Sequence, residues 1–469
     1  MLIYKFNNNR FIETFNAKPI GNQTKDSLRL HHYPDNWFKL FPYKASGKTP
    51  IVVDLEETVS GFFRNALSVE TEAVKFEPLC QNLIDNINIE DEDIEYFKEM
   101  VYDIFFHGDN FVAKNIGLYP YQTTIDNKSL ERLSYFLYCV LGAGEEEKIE
   151  INRAKEKYPF NVLEGMLVDM VNVRQMEETH KHKPYFQVVT DVQPKFRKDF
   201  RFMLKSGMTS LEDFGSLLSI YYFYYVSQTC LTLDQFCNGN RNNSVPLFFA
   251  LDWEKVSKNR SCCLEGWEKL QENINHMFSH AVTLEILNQH ESDEMYDYIK
   301  FQEMANQNPD YVNLIVNEIE KAEKVYTSYV GDYKGFEQLG EPVSGSRIDK
   351  AVQHLYRCVE VQFLETERKR ASQFYNEKFS GYCKLRWVKN RKKSGLVLNL
   401  TERDIIFLTK LSLGDEDKIR LNDLYKQYEY RGFYLDNTSK SLLQEFFTKL
   451  NLIDKKSDSG DAQYVKRIL

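Results

Sequence analysis

Apolar residues recur at three- and four-residue spacing along most of this chain, which is the period of amphipathic helices. A short apolar run, Ile51–Leu55, predicts a strand near the start instead. The helical pattern predicts helices within residues 78–138, 145–178 and 208–326, and one long helix from about Arg347 to Phe379. We therefore expect a mainly α protein, with a helical body and a small mixed region before it.

The last 75 residues show a pattern of their own. A strand is expected at Leu396–Leu400, followed by a helix capped by Thr401 and a second helix from about Lys418. Asp436, Asn437 or Thr438 caps a third helix, and two β-rich runs follow, joined by a turn at residues 457–461. Strand, three helices and a two-stranded wing in this order predict a C-terminal winged helix-turn-helix.

Glycine and proline concentrate in Ser328–Ser346, which predicts a linker. The chain then divides into five parts, and we expect the last of them to fold alone. They are a mixed α/β N-terminal region at 1–75, a helical body at 76–327, the linker at 328–346, a long helix with a basic tract at 347–394, and the winged helix at 395–469.

Composition narrows the function classes. The net charge of −9 over 469 residues excludes a protein that binds polyanions with its whole surface. Eight cysteines without an apolar leader favour reduced thiols and a cytoplasmic location. The most apolar run, Leu217–Val226, is much shorter than the roughly 20 residues that cross a bilayer, so we expect no membrane contact.

One local charge pattern stands out against this acidic background. Residues 368–393, the basic tract, hold ten Lys or Arg and a single acid, Glu377. Such a field suits a phosphate backbone, or alternatively an acidic protein surface. The candidate DNA-binding residues are Arg368, Lys369, Arg370, Lys384, Arg386, Lys389, Arg391, Lys392 and Lys393, joined by Lys455 and Lys456 of the wing.

Aromatic residues accompany the charges. In the basic tract they either stack on bases or pack the tract against the core. The run Tyr221–Tyr225 lies among aliphatic residues, which favours a buried helix over a base-stacking platform.

Motifs for catalysis or metal binding fail on spacing. Ala45–Thr49 reads Ala-Ser-Gly-Lys-Thr, but Pro42 replaces the first glycine of a phosphate-binding loop. Cys262 and Cys263 precede His276 and His280 at zinc-finger spacing. One continuous helix, however, would hold Cys263 and His276 about 20 Å apart, which excludes a shared zinc ion unless Gly266 breaks the helix. We identify no catalytic residues, and expect no cofactor, no metal and no enzymatic activity.

The C-terminal residues also carry a family resemblance. Arg431-Gly-Phe-Tyr-Leu-Asp436, with the stretch from Leu450 to Val465, resembles the C-terminus of the G subunit of phosphorothioation-dependent DNA restriction systems. The match covers roughly the last seventy positions. The resemblance implies a subunit of a bacterial anti-phage defence complex that works with two larger partners, which carry the ATPase and helicase-like activity. Together with the basic tract, it predicts a non-enzymatic subunit that binds the DNA backbone, docks these partners, or does both. If the modification is sensed by this subunit, Tyr382 or Trp387 is a candidate apolar wall for the phosphorothioate sulfur. The alternative is a structural adaptor that contacts only proteins.

Overall fold

Nineteen α-helices dominate the residues described by the computed structural model, which are 4–17, 30, 36–122, 127–170, 173–175, 183–455 and 463–468. The helices are α1 Asn8–Phe15, α2 Glu56–Leu67, α3 Phe76–Asn86, α4 Ile94–Phe105, α5 Lys128–Leu141, α6 Glu145–Lys157, α7 Val162–Met170, α8 Val192–Ser206, α9 Leu211–Leu233, α10 Ser261–Leu264, α11 Trp267–Asn275, α12 Met277–Leu287, α13 Tyr298–Gln307, α14 Tyr311–Tyr329, α15 Arg347–Glu365, α16 Lys369–Arg386, α17 Glu402–Leu413, α18 Leu421–Tyr430 and α19 Asn437–Lys449. The expected mainly α class is confirmed.

Eleven short strands complete the described structure. They are β1 Val69–Thr71, β2 Phe106–His107, β3 Asn110–Phe111, β4 Val173–Gln175, β5 Phe248–Leu251, β6 Val388–Asn390, β7 Leu396–Leu400, β8 Lys418–Arg420, β9 Tyr434–Leu435, β10 Ile453–Lys455 and β11 Gln463–Lys466. Residues Ile51–Leu55, predicted as a strand, form no strand, so that prediction is wrong.

Helix α9 forms the centre of the core. Ser210 caps it by accepting a hydrogen bond from the Asp213 N–H at 3.0 Å. Every residue from Leu217 to Leu233 is buried, including the run Tyr221–Tyr225. That run is therefore core, as expected, and is not available to stack on bases.

Two sheets matter for the C-terminal part of the chain. The four-stranded sheet has the order β6-β7-β5-β9, in which β5 runs parallel to both β7 and β9. The three-stranded sheet has the order β10-β11-β8 and is antiparallel throughout. The predicted strand Leu396–Leu400 exists, but its partner β5 belongs to the preceding body, so backbone pairing crosses the expected boundary at residue 395.

The single long helix predicted from Arg347 to Phe379 is wrong, because two helices, α15 and α16, occupy this region. The break falls at Thr366, whose backbone is extended. Its hydroxyl donates to the Gln362 carbonyl and accepts from the Arg368 N–H, so the side chain competes with the helical backbone bonds. The predicted linker is the connection between α14 and α15, which pack against each other.

Among the described residues, no helix combines the length and the apolar character needed to cross a bilayer.

Candidate nucleic-acid interface

The basic tract lies on α16, β6 and the turn that leads into β7. Several of its cations point into the protein. Arg368 forms an ion pair with Asp332 at 2.9 Å, and Lys378 donates to the Thr49 carbonyl oxygen at 2.6 Å. Burial lowers the pKa of Lys378, against the opposing effect of Glu377. These two cations stabilise contacts between distant segments and are not free to meet phosphate.

Arg386 is also an internal residue. Its guanidinium group forms an ion pair with the buried carboxylate of Asp404 and lies over the Trp387 ring at 4.1 Å. Asp404 in turn accepts from the Thr401 N–H at 2.9 Å, which completes the capping box at the start of α17. Arg386 therefore fastens the end of α16 to the start of α17.

Lys389 and Arg391 hold the loop that follows β5. Lys389 donates to the Asp252 carboxylate at 2.6 Å, and this hydrogen bond lowers the pKa of Asp252 although burial opposes it. Arg391 donates to the carbonyl oxygens of Leu251, Asp252 and Glu254 at 2.7–3.1 Å. For Arg368, Arg386, Lys389 and Arg391, the geometry thus indicates a structural role in place of the predicted phosphate contact.

The remaining candidates of the tract do reach solvent. Lys369, Arg370, Lys384, Lys392 and Lys393 are exposed, and none of them forms an ion pair with a residue that the structure describes. We call these five the outward cations. Most aromatic rings of the tract are buried and are not available beside the outward cations. They are Tyr375, Phe379, Tyr382 and Trp387, each 0% exposed.

Because they are buried, Tyr382 and Trp387 do not form an exposed wall for sulfur, and that prediction is wrong. The Trp387 indole N–H donates to the Tyr382 hydroxyl at 3.1 Å, inside the core. The tract aromatics therefore pack the tract against the body, which is one of the two roles that the sequence left open. Only Phe374 of this group is half-buried.

Helical spacing places Arg370, Glu377 and Lys384 along one face of α16, since they are seven residues apart. All three side chains are exposed. At 1.5 Å per residue, Arg370 and Lys384 lie about 21 Å apart along the helix axis. This face therefore has a cation at each end and the single acid of the tract between them.

The C-terminal helices are fastened to the body through α19. Arg260 donates to Asp436, the N-cap of α19, at 2.6 Å, and also pairs with buried Glu254. Trp253 stacks on Phe446 with ring centroids 4.8 Å apart. The first turn of α19 and part of its face are thus covered by residues 253–260.

Several cations of this C-terminal part form ion pairs. Lys440 forms an ion pair with Glu429 at 2.9 Å, and Lys418 pairs with Asp454 at 2.8 Å. Lys449 is exposed. Lys455 ends strand β10, whereas Lys456 and the predicted wing tip lie outside the described residues.

The cysteine and histidine residues with zinc-finger spacing do not converge. The helix does break at Gly266, whose backbone is not helical, with φ −111° and ψ −117°. A Cβ at this position would lie 2.4 Å from the Cys262 carbonyl oxygen. Cys262 and Cys263 nevertheless pack beside β5 and β7, while His276 and His280 bind the Asp234 carboxylate at 2.8 and 2.6 Å. The two halves of the motif serve different contacts.

A different group of metal-type ligands was not recognised from the sequence. Glu323, His354 and Cys358 place one ligand atom each within 4.8 Å of one another, the one group of three or more such residues among those described. The spacing of His354 and Cys358 by four residues on one helix was a visible signal. Glu323 comes from another helix, so only the packing of α14 on α15 reveals it.

Neither a protein-family model nor a curated protein sequence matches this chain. The resemblance of its C-terminal residues to the G subunit of phosphorothioation-dependent restriction systems therefore stays a prediction. What the geometry itself offers is a set of outward cations on α16 and the following turn, beside a C-terminal unit in which several of the cations form ion pairs.

Proposed function

We propose that this protein is a non-enzymatic, cytoplasmic subunit of a phosphorothioation-dependent DNA restriction complex, and that it contacts the DNA backbone. In this role it tethers DNA to partner subunits with ATPase and helicase-like activity. The C-terminal resemblance supports the system, and the outward cations support the DNA contact.

The proposal includes a winged helix at the C-terminus. Two features support it: the order α17, β8, α18, α19, β10 and β11, and the pairing of β8 with β11, the last strand. In such domains the third helix or the wing is the usual contact surface. Here Arg260 and Trp253 cover the start and one face of α19. Backbone contact or partner docking therefore fits this domain better than base readout in the major groove.

The observation that carries the DNA contact is the exposure of Lys369, Arg370, Lys384, Lys392 and Lys393 in a protein of net charge −9. Their charges have no described acid to neutralise them, so a polyanion is a suitable partner. Phosphate contacts give affinity without sequence information. Binding should therefore be similar for all sequences and should weaken steeply with salt.

Charge variants test this contact directly. Replacing Arg370, Lys384, Lys392 and Lys393 with Gln should weaken binding to duplex DNA for all sequences alike. The slope of log affinity against log salt should shrink by about 0.9 for each phosphate that the variant no longer neutralises. Fluorescence anisotropy over a salt series measures both quantities.

A further variant changes the charge on the exposed face of α16 that carries Arg370, Glu377 and Lys384. Glu377→Gln removes the acid between Arg370 and Lys384, so it should strengthen DNA binding. Lys75→Gln with Lys114→Gln removes exposed positive charge elsewhere and should leave binding nearly unchanged. Equal affinity for the wild type, the four-Gln variant and Glu377→Gln would contradict the DNA contact.

A structural adaptor is the second candidate function, and exposed apolar side chains favour it. Leu385 is 67% exposed next to Lys384, and Leu264 and Leu396 are 61% and 41% exposed. Exposed apolar residues suit protein contacts better than phosphate contacts. If the four-Gln variant binds DNA normally but no longer co-purifies with a partner subunit, the adaptor function is correct.

A further inference from the structure

The interface between α14 and α15 brings together three side chains that ligate metals. Glu323 lies on α14, and His354 and Cys358 lie one turn apart on α15. The Nδ1 atom of His354 is 2.8 Å from Oε2 of Glu323 and 4.0 Å from Sγ of Cys358. We propose that these three residues form a zinc site that joins the two helices.

The distances suit a tetrahedral ion. Zinc binds carboxylate oxygen and imidazole nitrogen at about 2.0–2.2 Å and thiolate at about 2.3 Å, so ligand atoms in a tetrahedron lie about 3.3–3.7 Å apart. The two separations from His354, 2.8 and 4.0 Å, bracket that range, and the three ligand atoms all lie within 4.8 Å of one another. Movements of less than about an ångström, within reach of side-chain rotation, would accommodate the ion.

The donor set selects the class of metal. One thiolate, one imidazole and one carboxylate suit borderline ions such as Zn²⁺, whereas Mg²⁺ and Ca²⁺ prefer oxygen ligands alone. Charge also balances: a carboxylate and a thiolate together neutralise a divalent cation. A neutral site is favourable here, because Cys358 is fully buried and charge is costly away from water.

Solvent can reach the site from one side. The side chains of His354 and Glu323 are 19% and 20% exposed, so an ion can enter and a water molecule can take the fourth position. The proton balance is simple. The Cys358 thiol releases its proton to solvent as the metal–sulfur bond forms, and the His354 proton moves to Nε2 so that Nδ1 can bind the metal.

Other polar contacts link the two helices on the same side. The Tyr326 hydroxyl donates to the Gln362 side chain at 2.5 Å, and Gln362 donates to Asp332 at 3.0 Å. Asp332 also holds Arg368, the residue before α16. A bound ion would therefore stabilise the packing of α14 on α15, and through it the connection that carries Asp332.

Cobalt serves as the spectroscopic probe. The full-length wild type should bind one Co²⁺ per chain, with a thiolate-to-cobalt charge-transfer band in the near ultraviolet and intense visible bands typical of tetrahedral sites. Added Zn²⁺ should displace it and raise the melting temperature. Cys358→Ser should lose the charge-transfer band, and His354→Gln or Glu323→Gln should weaken affinity at least tenfold.

Matched variants exclude unspecific binding. Cys139→Ser changes the half-buried cysteine, and His107→Gln changes an exposed histidine. Both should bind cobalt like the wild type. Absence of the band in the wild type, or its persistence in Cys358→Ser, would overturn the site. If Cys358→Ser fails to fold, unchanged cobalt affinity in both Glu323→Gln and His354→Gln would overturn it instead.

Discussion

Arg431 forms a bidentate ion pair with Asp199, 232 residues earlier in the chain, and neither side chain reaches solvent. The guanidinium Nε and Nη2 donate to the two carboxylate oxygens at 2.7 and 2.6 Å. Their exposed fractions are 0% and 1%. Tyr221 of the central helix α9 also donates to Asp199, at 2.7 Å. The pair therefore joins the end of α18 to the core of the body.

Arg431→Met should destabilise the protein strongly. The variant leaves the Asp199 carboxylate buried with only a tyrosine hydroxyl, and breaking a buried pair on one side typically costs about 3–5 kcal/mol. Urea denaturation of the full-length protein measures this change in the free energy of unfolding. Adding Asp199→Leu to the variant should restore part of the stability, since no unpaired charge then remains.

An exposed ion pair supplies the contrast. Arg403 and Glu212 are each 59% exposed, so Arg403→Met should cost less than about 1 kcal/mol. Equal destabilisation in Arg431→Met and Arg403→Met would show that burial does not determine the contribution of the first pair.

The Arg431–Asp199 pair also changes the expectation for an isolated C-terminal fragment. A fragment of residues 395–469 would leave Arg431 without Asp199, β7 without β5, and Phe446 without Trp253. We therefore expect it to melt without a cooperative transition and to show poor amide dispersion, although its sequence pattern suggests an independent domain.

Circular dichroism and NMR of the purified fragment test this second prediction. The full-length protein, melted under the same conditions, is the control and should unfold cooperatively. A sharp transition with well-dispersed amide signals from the fragment would show instead that the contacts across residue 395 are dispensable, and would support the domain boundary read from the sequence.

Local features of this fold were accessible from the sequence, because they depend on neighbouring residues. Thr401 is a helix cap as predicted, and Asp436 is the one of three predicted candidates that caps α19. Each side-chain oxygen accepts from the backbone N–H three residues on. The strand Leu396–Leu400 was also predicted. Its partner β5 was not, because a parallel partner can lie anywhere in the chain.

In the candidate interface, too, the sequence predicts local properties but not tertiary contacts. A run of Lys and Arg reveals charge but not which acid or carbonyl each cation will meet. Lys389 binds the Asp252 carboxylate, and Arg391 binds backbone carbonyl oxygens at the end of β5 and just after it. Arg386 forms its ion pair with Asp404. Lys392 and Lys393 stay exposed in the turn between β6 and β7. Only tertiary packing determines which cations of the tract are paired and which are exposed.

The third prediction concerns Asp234, which binds His276 and His280 at 2.8 and 2.6 Å. The hydrogen bond that His276 donates to Asp234 raises the pKa of His276 above its ordinary value of 6.5, although burial opposes it. Burial opposes ionisation of Asp234, but the two histidine bonds outweigh it and lower its pKa. Glu360 and Glu272 also favour protonated His276.

The pKa shifts of His276 and Asp234 determine how the stability of the folded protein depends on pH. A histidine with a raised pKa stabilises the folded state below its unfolded pKa of about 6.5, and this contribution disappears as the pH rises through its folded pKa. An aspartate with a lowered pKa contributes above its unfolded value, near 4, and loses that contribution in stronger acid. The pair should therefore stabilise the protein most between roughly pH 4.5 and 6.5.

His276→Gln should accordingly destabilise the protein more at about pH 5.5 than at about pH 8.5, because the contribution of the protonated histidine falls as the pH rises through its folded pKa. Urea denaturation of both proteins at the two pH values measures the difference. His107→Gln is the control: this histidine is exposed on β2, so its replacement should change the free energy of unfolding little at either pH. A destabilisation in His276→Gln that does not vary with pH would mean that the Asp234 contact acts through a neutral imidazole, with no contribution from the protonated form.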